Sequence, residues 1–296
     1  MTPAPSPAPT PDAPRDLPPD PALPPGWIPR RTADGSVTLR HPVHGQACHS
    51  DSGAWTEAVE RYAAALELVA APADRPLRLL DLGTGPGWNL AAARAWAAER
   101  GRRLTVLALE LEPGLPAAAP RLAELSDEGA WCPWFPDLAA DLAAAVCGTT
   151  SGTVGTGDAT GETAVEEPRS GLDLRLGDAR PELAALRAAG RRFDAVFLDA
   201  FSPGVEPDLW APAVLADLAA LLDEGGVVAT YTVSLAVRVE LARAGLTVGT
   251  GPRVGAKAGG TLAARGLDLP PLESRAAAKL GRRLARTDGT PSGGGT

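Results

Sequence analysis

The segment Leu77 to Asn89, LRLLDLGTGPGWN, constrains the fold more than any other stretch. Leu77 to Asp81 is a short apolar run that reads as a buried strand. It passes directly into Gly83-Thr84-Gly85-Pro86-Gly87-Trp88-Asn89, and a helix is expected from Leu90 to Arg100. Strand, glycine-rich turn and helix in succession make a nucleotide-binding unit: the glycines let backbone pass close to a ligand, and the helix N-terminus faces it. Leu104 to Glu110 reads as the next strand. Its terminal acid stands at about the ~20-residue spacing at which such units accept hydrogen bonds from ribose hydroxyls.

A second constraint is FDAVFLDAFSPGVEPDLW, residues 193 to 210. Phe193 to Leu198 reads as a buried parallel strand, and Pro203, Gly204 and Pro207 force a loop after it. Ligands of open α/β sheets sit beyond the carboxyl ends of the strands, so Asp199 is aimed at whatever is bound. Further strands are expected at Leu172 to Leu176, Val227 to Thr232, Leu246 to Thr250 and Gly260 to Arg265, the last two as a hairpin. Helices are expected at Trp55 to Leu68, Leu115 to Leu125, Trp131 to Val146, Pro181 to Ala189, Pro207 to Leu222 and Val233 to Ala244, with a turn at Glu224-Gly225-Gly226. Alternating strands and helices, closed by two strands, specify an α/β fold: a mainly parallel sheet with helices on both faces.

The ends of the chain read differently. Residues 1–26 form a Pro-rich tail expected to be disordered, residues 27–266 one globular domain, and residues 267–296 a basic helix, interrupted at Gly281, with a disordered tail. A Gly/Thr-rich loop at about 148–163 is expected to be mobile. No apolar run reaches the ~18 residues of a membrane span, and no secretory signal is visible. Cys48, Cys132 and Cys147 form no CxxC, which fits a reducing cytoplasm. His41, His44 and His49 lie near Cys48 on a Pro/Gly loop without a standard zinc spacing, so no metal is expected. From Thr230 onward the chain has ten Lys/Arg and four Asp/Glu. That part carries +6 and the remainder −14, which together give the net −8, a split compatible with a phosphate-binding face.

The acids select among nucleotides. Asp81 precedes the glycine turn and Glu110 follows the second strand. Asp178, after the strand ending at Leu176, can accept from an adenine amine or cap the next helix. Carboxylates would repel a pyrophosphate, and Gly85-Pro86-Gly87 restricts a pyrophosphate turn. The pattern suits a nucleoside with a positively charged, phosphate-free tail, and S-adenosylmethionine is that ligand.

Three segments carry a resemblance. Cys48-His49-Ser50-Asp51-Ser52-Gly53-Ala54-Trp55-Thr56-Glu57 is similar to an HSxxGAxxE stretch, Gly83 to Asn89 to a GxGxGxN turn, and LDAFSPGVEPDLW, with GGVVATYT and AVRVELARAGL, to an LDGFSP motif with a later P-x-W. Together they span residues 45 to 265. With them the chain resembles the methyltransferase domain of the bacterial enzymes that make 5-methylaminomethyl-2-thiouridine at the tRNA wobble position.

The resemblance implies a class I S-adenosylmethionine-dependent methyltransferase, Rossmann-like, with an antiparallel last strand. It implies a stand-alone methyltransferase domain without the FAD-dependent oxidase domain that some members carry. Asp81, Gly83, Gly85, Gly87, Asn89, Glu110, Asp178 and Asp199 would hold the cofactor. Asp199 and Phe201 would face the reacting centre, and His49, Ser50, Glu57 and Trp210 the substrate. The implied partner is the anticodon region of a tRNA, whose wobble uridine would stack on Phe201 or Trp210. The same fold also accommodates a methyltransferase or aminopropyltransferase for a small amine, or an inactive nucleotide- or RNA-binding domain.

Overall fold

Alternate residues of the central strands face opposite ways, and both sets are apolar. Leu77, Leu79, Val106, Ala108, Ala195, Phe197, Val227 and Ala229 enter one core, while Leu80, Leu82, Leu107, Leu109, Val196, Leu198 and Val228 enter another. A sheet buried on both faces must be covered by helices on both, and it reads as continuous hydrophobic sequence.

The computed structural model describes residues 13–151, 171–255 and 259–286. The chain begins with β1 (Arg15–Asp16), β2 (Ile28–Arg31) and β3 (Val37–Arg40), a small antiparallel sheet. Next come α1 (Ala54–Glu57), a π-helical turn Ala58–Tyr62 and a 3-10 turn Ala63–Leu68. The alternating part follows: β4 (Leu77–Leu82), α2 (Trp88–Glu99), β5 (Leu104–Glu110), α3 (Gly114–Ala117), α4 (Ala119–Leu125) and α5 (Phe135–Ser151). It continues through β6 (Leu172–Leu176), α6 (Ala179–Ala188), β7 (Phe193–Leu198), α7 (Pro212–Leu221), β8 (Leu222–Thr230) and α8 (Leu235–Arg243). The chain closes with β9 (Thr247–Thr250), β10 (Thr261–Ala264) and α9 (Ser274–Ala285).

The main sheet has the order β6-β5-β4-β7-β8-β10-β9. Strands β4 to β8 pair in parallel, and β10 pairs antiparallel with both β8 and β9. The expected α/β class, the parallel sheet and the terminal hairpin are all present. Helices α2 and α5 cover one face, and α6, α7 and α8 the other. Trp88 stacks on Phe135 at 3.7 Å and donates through Nε1 to the Val37 carbonyl at 3.1 Å, fastening the small sheet to the core.

Several expectations are corrected. The chain is ordered well before residue 27: β1 pairs with β2, and Leu23 is buried, so the tail expected through residue 26 does not extend over residues 13–26. Glu224 to Gly226 is an irregularity inside β8, because the pairing with β7 slips between Phe193 and Ala195. The helix over Trp131 to Val146 starts only at Phe135, that over Leu115 to Leu125 is split in two, and α9 runs unbroken through Gly281. Gly148 to Ser151 belongs to α5, and the rest of the expected Gly/Thr loop lies outside the described residues.

At the amino end of β7, Asp194 is only 2% exposed. Arg75 reaches it at 2.6 and 2.7 Å, Arg78 donates at 2.8 Å from both its backbone and its guanidinium, and Arg78 also reaches Asp223 of β8 at 2.5 Å. These bonds hold the Asp194 carboxyl well below the usual range. Its contribution to stability is therefore complete above pH ~4 and is lost as pH falls further. Asp194→Asn is expected to lower unfolding stability in urea by about 2–3 kcal/mol. That is less than a fully buried pair would lose, because the arginines remain partly hydrated. An unchanged urea midpoint would contradict this anchoring role.

Candidate active site

The glycine turn lies over the carboxyl end of β4. Gly83 has φ 78° and donates to the Leu109 carbonyl at 3.0 Å. A Cβ there would lie 2.8 Å from the Asp199 carbonyl oxygen and 2.9 Å from the Ala200 nitrogen, so only glycine lets the β4 and β7 termini close on each other. Gly85 (φ 55°) has the opposite surroundings: a Cβ would meet nothing within 4 Å. That open space faces a cavity of about 680 Å³, large enough for a nucleoside cofactor and a second reactant. Gly87 caps α2 in a left-handed conformation.

The alternation of β7 sets the direction of Asp199. It continues the series Ala195, Phe197, so its side chain points to the face that carries Tyr62 and Asn89. Tyr62 Oη donates to Oδ1 at 2.5 Å, and Asn89 Nδ2 donates to Oδ2 at 2.7 Å. Burial and the nearby Glu57 nevertheless push the Asp199 pKa well above the usual carboxylate range. Glu110 accepts from the Gly85 N–H at 2.7 Å and the Glu112 N–H at 2.9 Å, and burial raises its pKa to about 7. Asp81 is fully buried under the turn, again pushed up to about 7, and does not line the cavity. Its expected direct contact with a cofactor is corrected to a place one layer behind the turn.

Asp178 lines the cavity and caps α6 by accepting from the Arg180 N–H at 2.9 Å. Arg180 folds over it, and the pairing lowers the Asp178 pKa. His49, Ser50 and Glu57 form the facing wall. Thr38 and His49 Nδ1 are hydrogen-bonded at 2.8 Å, the Ser50 N–H donates to Glu57 Oε2 at 2.7 Å, and Glu57 is ion-paired with Arg61 at 3.2 Å. Among the described residues the buried Ser50 Oγ has no hydrogen-bond partner, nor has Asn89 Oδ1. Phe201 also lines the cavity, within 6.2 Å of Trp27 and edge-on to His41 at 5.5 Å between ring centres.

Trp210 is not part of the wall. It is 6% exposed and packs in the core edge-on to Tyr231, and its Nε1 donates to the Phe201 carbonyl at 2.7 Å. The expectation that it stacks on a substrate is corrected: the short 3-10 turn Pro207–Trp210 points the indole inward, where it supports the loop carrying Phe201.

The structure adds residues that sequence reasoning passed over. Tyr62 reads in sequence as one member of an apolar helical stripe, yet its hydroxyl is the group nearest Asp199 Oδ1. Tyr231 follows β8 as Asp199 follows β7, donates to the Ala200 carbonyl at 3.0 Å and lines the cavity. The rule that flagged Asp199 also applies to it. Gln46 accepts from the Ser202 hydroxyl at 3.1 Å, and Trp27 enters from the small sheet. No group of metal-ligating side chains occurs among the described residues, and no helix among them is long and apolar enough to cross a membrane.

Comparison with known proteins agrees with this geometry. Residues 156–266 match a family described as S-adenosyl-L-methionine-dependent methyltransferase. The tRNA 5-methylaminomethyl-2-thiouridine biosynthesis bifunctional protein MnmC of Delftia acidovorans is 34% identical over 75% of this chain and 32% of its own length. Its counterpart in Azoarcus sp. is 33% identical over 73% and 32%. The chain thus spans about a third of the length of these curated relatives. The crystal structure of MNMC2 from Aquifex aeolicus aligns with a TM-score of 0.66 and 30% identity, over 86% of this chain and 75% of that one.

The two glycines separate packing from access. Gly83→Ala is expected to destabilise the fold by at least about 2 kcal/mol, because backbone must move. Gly85→Ala should cost about 1 kcal/mol, the left-handed conformation alone. Thermal unfolding of both variants checks this, and equal losses would contradict it.

Proposed function

Since the chain belongs to the MnmC family of S-adenosylmethionine-dependent methyltransferases, we propose that it methylates the primary amine of 5-aminomethyl-(2-thio)uridine at the wobble position of a tRNA, in the cytoplasm. One observation carries the reading. Asp199, held by Tyr62 and Asn89, is a half-buried carboxylate of raised pKa at the meeting point of the glycine turn and the Phe201 loop.

The residues present fit the cofactor. Gly85 leaves room for close approach, Glu110 retains lone pairs for ribose hydroxyls beyond the two N–H groups it accepts from, and Asp178 lines the same cavity with a carboxylate able to accept from an adenine amine. Glu57, Glu110, Asp199 and Glu206 surround the space, and such walls favour a cationic ligand. S-adenosylmethionine supplies a methyl group activated by its positive sulfur. The chain's own residues do the rest. The aromatic side of the cavity receives the uracil ring on Phe201. Asp199 takes an N–H of the aminomethyl group, fixes the direction of its lone pair and receives the proton that leaves as the new C–N bond forms. A free alkylamine such as that of lysine titrates near ~10.4; desolvation and the positive sulfur beside it lower this, against the pull of the acidic walls.

The amine must be neutral and Asp199 ionised, so transfer is expected to rise with pH. Tyr62→Phe removes a hydrogen bond that favours the ionised form, raising the Asp199 pKa and moving the rise to higher pH while preserving the plateau. An unmoved pH profile would contradict the role given to Tyr62. Asp199→Ala should reduce labelled methyl transfer into tRNA from modification-deficient cells by about 10²–10⁴-fold and leave thermal unfolding intact. Undiminished turnover would overturn the assignment. Transfer to free amines but not to tRNA would instead favour a small-amine enzyme, and cofactor binding with no transfer a non-catalytic domain.

A further inference from the structure

Helix α9 stands apart from the rest of the surface. Arg275, Lys279, Arg282 and Arg283 lie on it, Arg286 follows, and all five are exposed. Among the described residues none of the five forms an ion pair or a side-chain hydrogen bond. In the rest of the fold, arginines such as Arg30, Arg121, Arg180 and Arg187 are matched to carboxylates. Residues 275, 279, 282 and 286 follow helical spacing and make one stripe roughly 16 Å long. Ala276, Leu280 and Leu284, four residues apart, are the half-buried side of the same helix, which packs against α8. Helix α8 in turn begins just beyond Tyr231, a wall of the cavity.

We propose that the outward face of α9 is a docking surface for the phosphate backbone of the tRNA; this rests on the reading that the acceptor is a tRNA base. A protein of net charge −8 with an acidic cavity repels a polyanion, so approach requires a local region of opposite sign. Unpaired arginines meet phosphates without first breaking an internal ion pair, and the contact is sequence-independent, as a positioning contact should be. A membrane surface fits less well. The apolar residues of α9 are turned onto α8, leaving only charge outside and nothing to insert among lipids.

The test uses the full chain with Arg275, Lys279, Arg282 and Arg283 all changed to Gln, beside a control in which the three arginines become Lys. Binding to modification-deficient tRNA is measured against salt, and methyl transfer is measured on both that tRNA and the free 5-aminomethyluridine nucleoside. The Gln variant is expected to raise the KM for tRNA at least about tenfold at ~0.15 M salt. Its log Kd against log salt should be shallower by roughly 3, at 0.7–0.9 per lost phosphate contact. Transfer to the nucleoside and thermal unfolding should stay unchanged, and the Lys control should behave as wild type. Wild-type tRNA affinity and salt slope in the Gln variant would overturn the docking surface while leaving the methyltransferase reading standing. So would lost binding to anionic vesicles with tRNA binding intact. A wild-type chain that methylates the nucleoside but does not bind tRNA would overturn both the docking surface and the reading of tRNA as the acceptor.

Discussion

Three carboxylates, Asp81, Glu110 and Asp199, stand at the ends of neighbouring parallel strands at the same edge of the sheet, the first two buried and the third half-buried. Among the described residues no arginine pairs with them there. Glu110 accepts from backbone N–H groups, and Asp199 from a tyrosine hydroxyl and an asparagine amide, which stabilise negative charge without cancelling it. Desolvation therefore prevails, and all three pKa values rise. A region in this condition favours a cationic guest strongly, because the guest supplies the charge the fold leaves out.

Strand β7 makes the same point within one element. Asp194 and Asp199 mark its two ends, five positions apart. Arg75 and Arg78 hold Asp194 ionised far below its ordinary pKa, whereas Asp199 is pushed the opposite way. One end is a closed ion-pair network that locks β4, β7 and β8 together. The other is left electrostatically incomplete, at the end of the sheet where ligands are expected to bind. The contact between Gly83 and the Asp199–Ala200 peptide brings the two strand ends together and so sets where the glycine turn and the acid meet.

Much of this was legible from residue order. The strands at Leu77, Leu104, Leu172 and Phe193 announce themselves as apolar runs ending in Asp, Glu or Gly, and the glycine turn follows the first directly. Less legible was whatever depends on side chains meeting from distant segments. Tyr62 belongs to a helical stripe that looks like simple core. Trp210 looks like a loop aromatic available to a ligand, yet it turns inward because its indole N–H finds the Phe201 carbonyl. The small N-terminal sheet has strands of two to four residues, too short for any periodicity, and its Pro-rich sequence resembles a tail. Trp27 and His41 reach the cavity from that sheet, so the aromatic side of the site was the part least visible in advance.

The central claim is that burial raises the proton affinity of these acids and that a positive ligand reverses this. Isothermal titration at pH 6.5 in buffers of different ionisation enthalpy, comparing S-adenosylmethionine with its uncharged thioether product, tests this most directly. Charged donor is predicted to displace protons into the buffer as Glu110 and its neighbours ionise, and neutral product to displace fewer. The difference should fade above pH ~8, where free Glu110 is already ionised. Equal proton exchange for the two ligands, or none at all, would contradict the account.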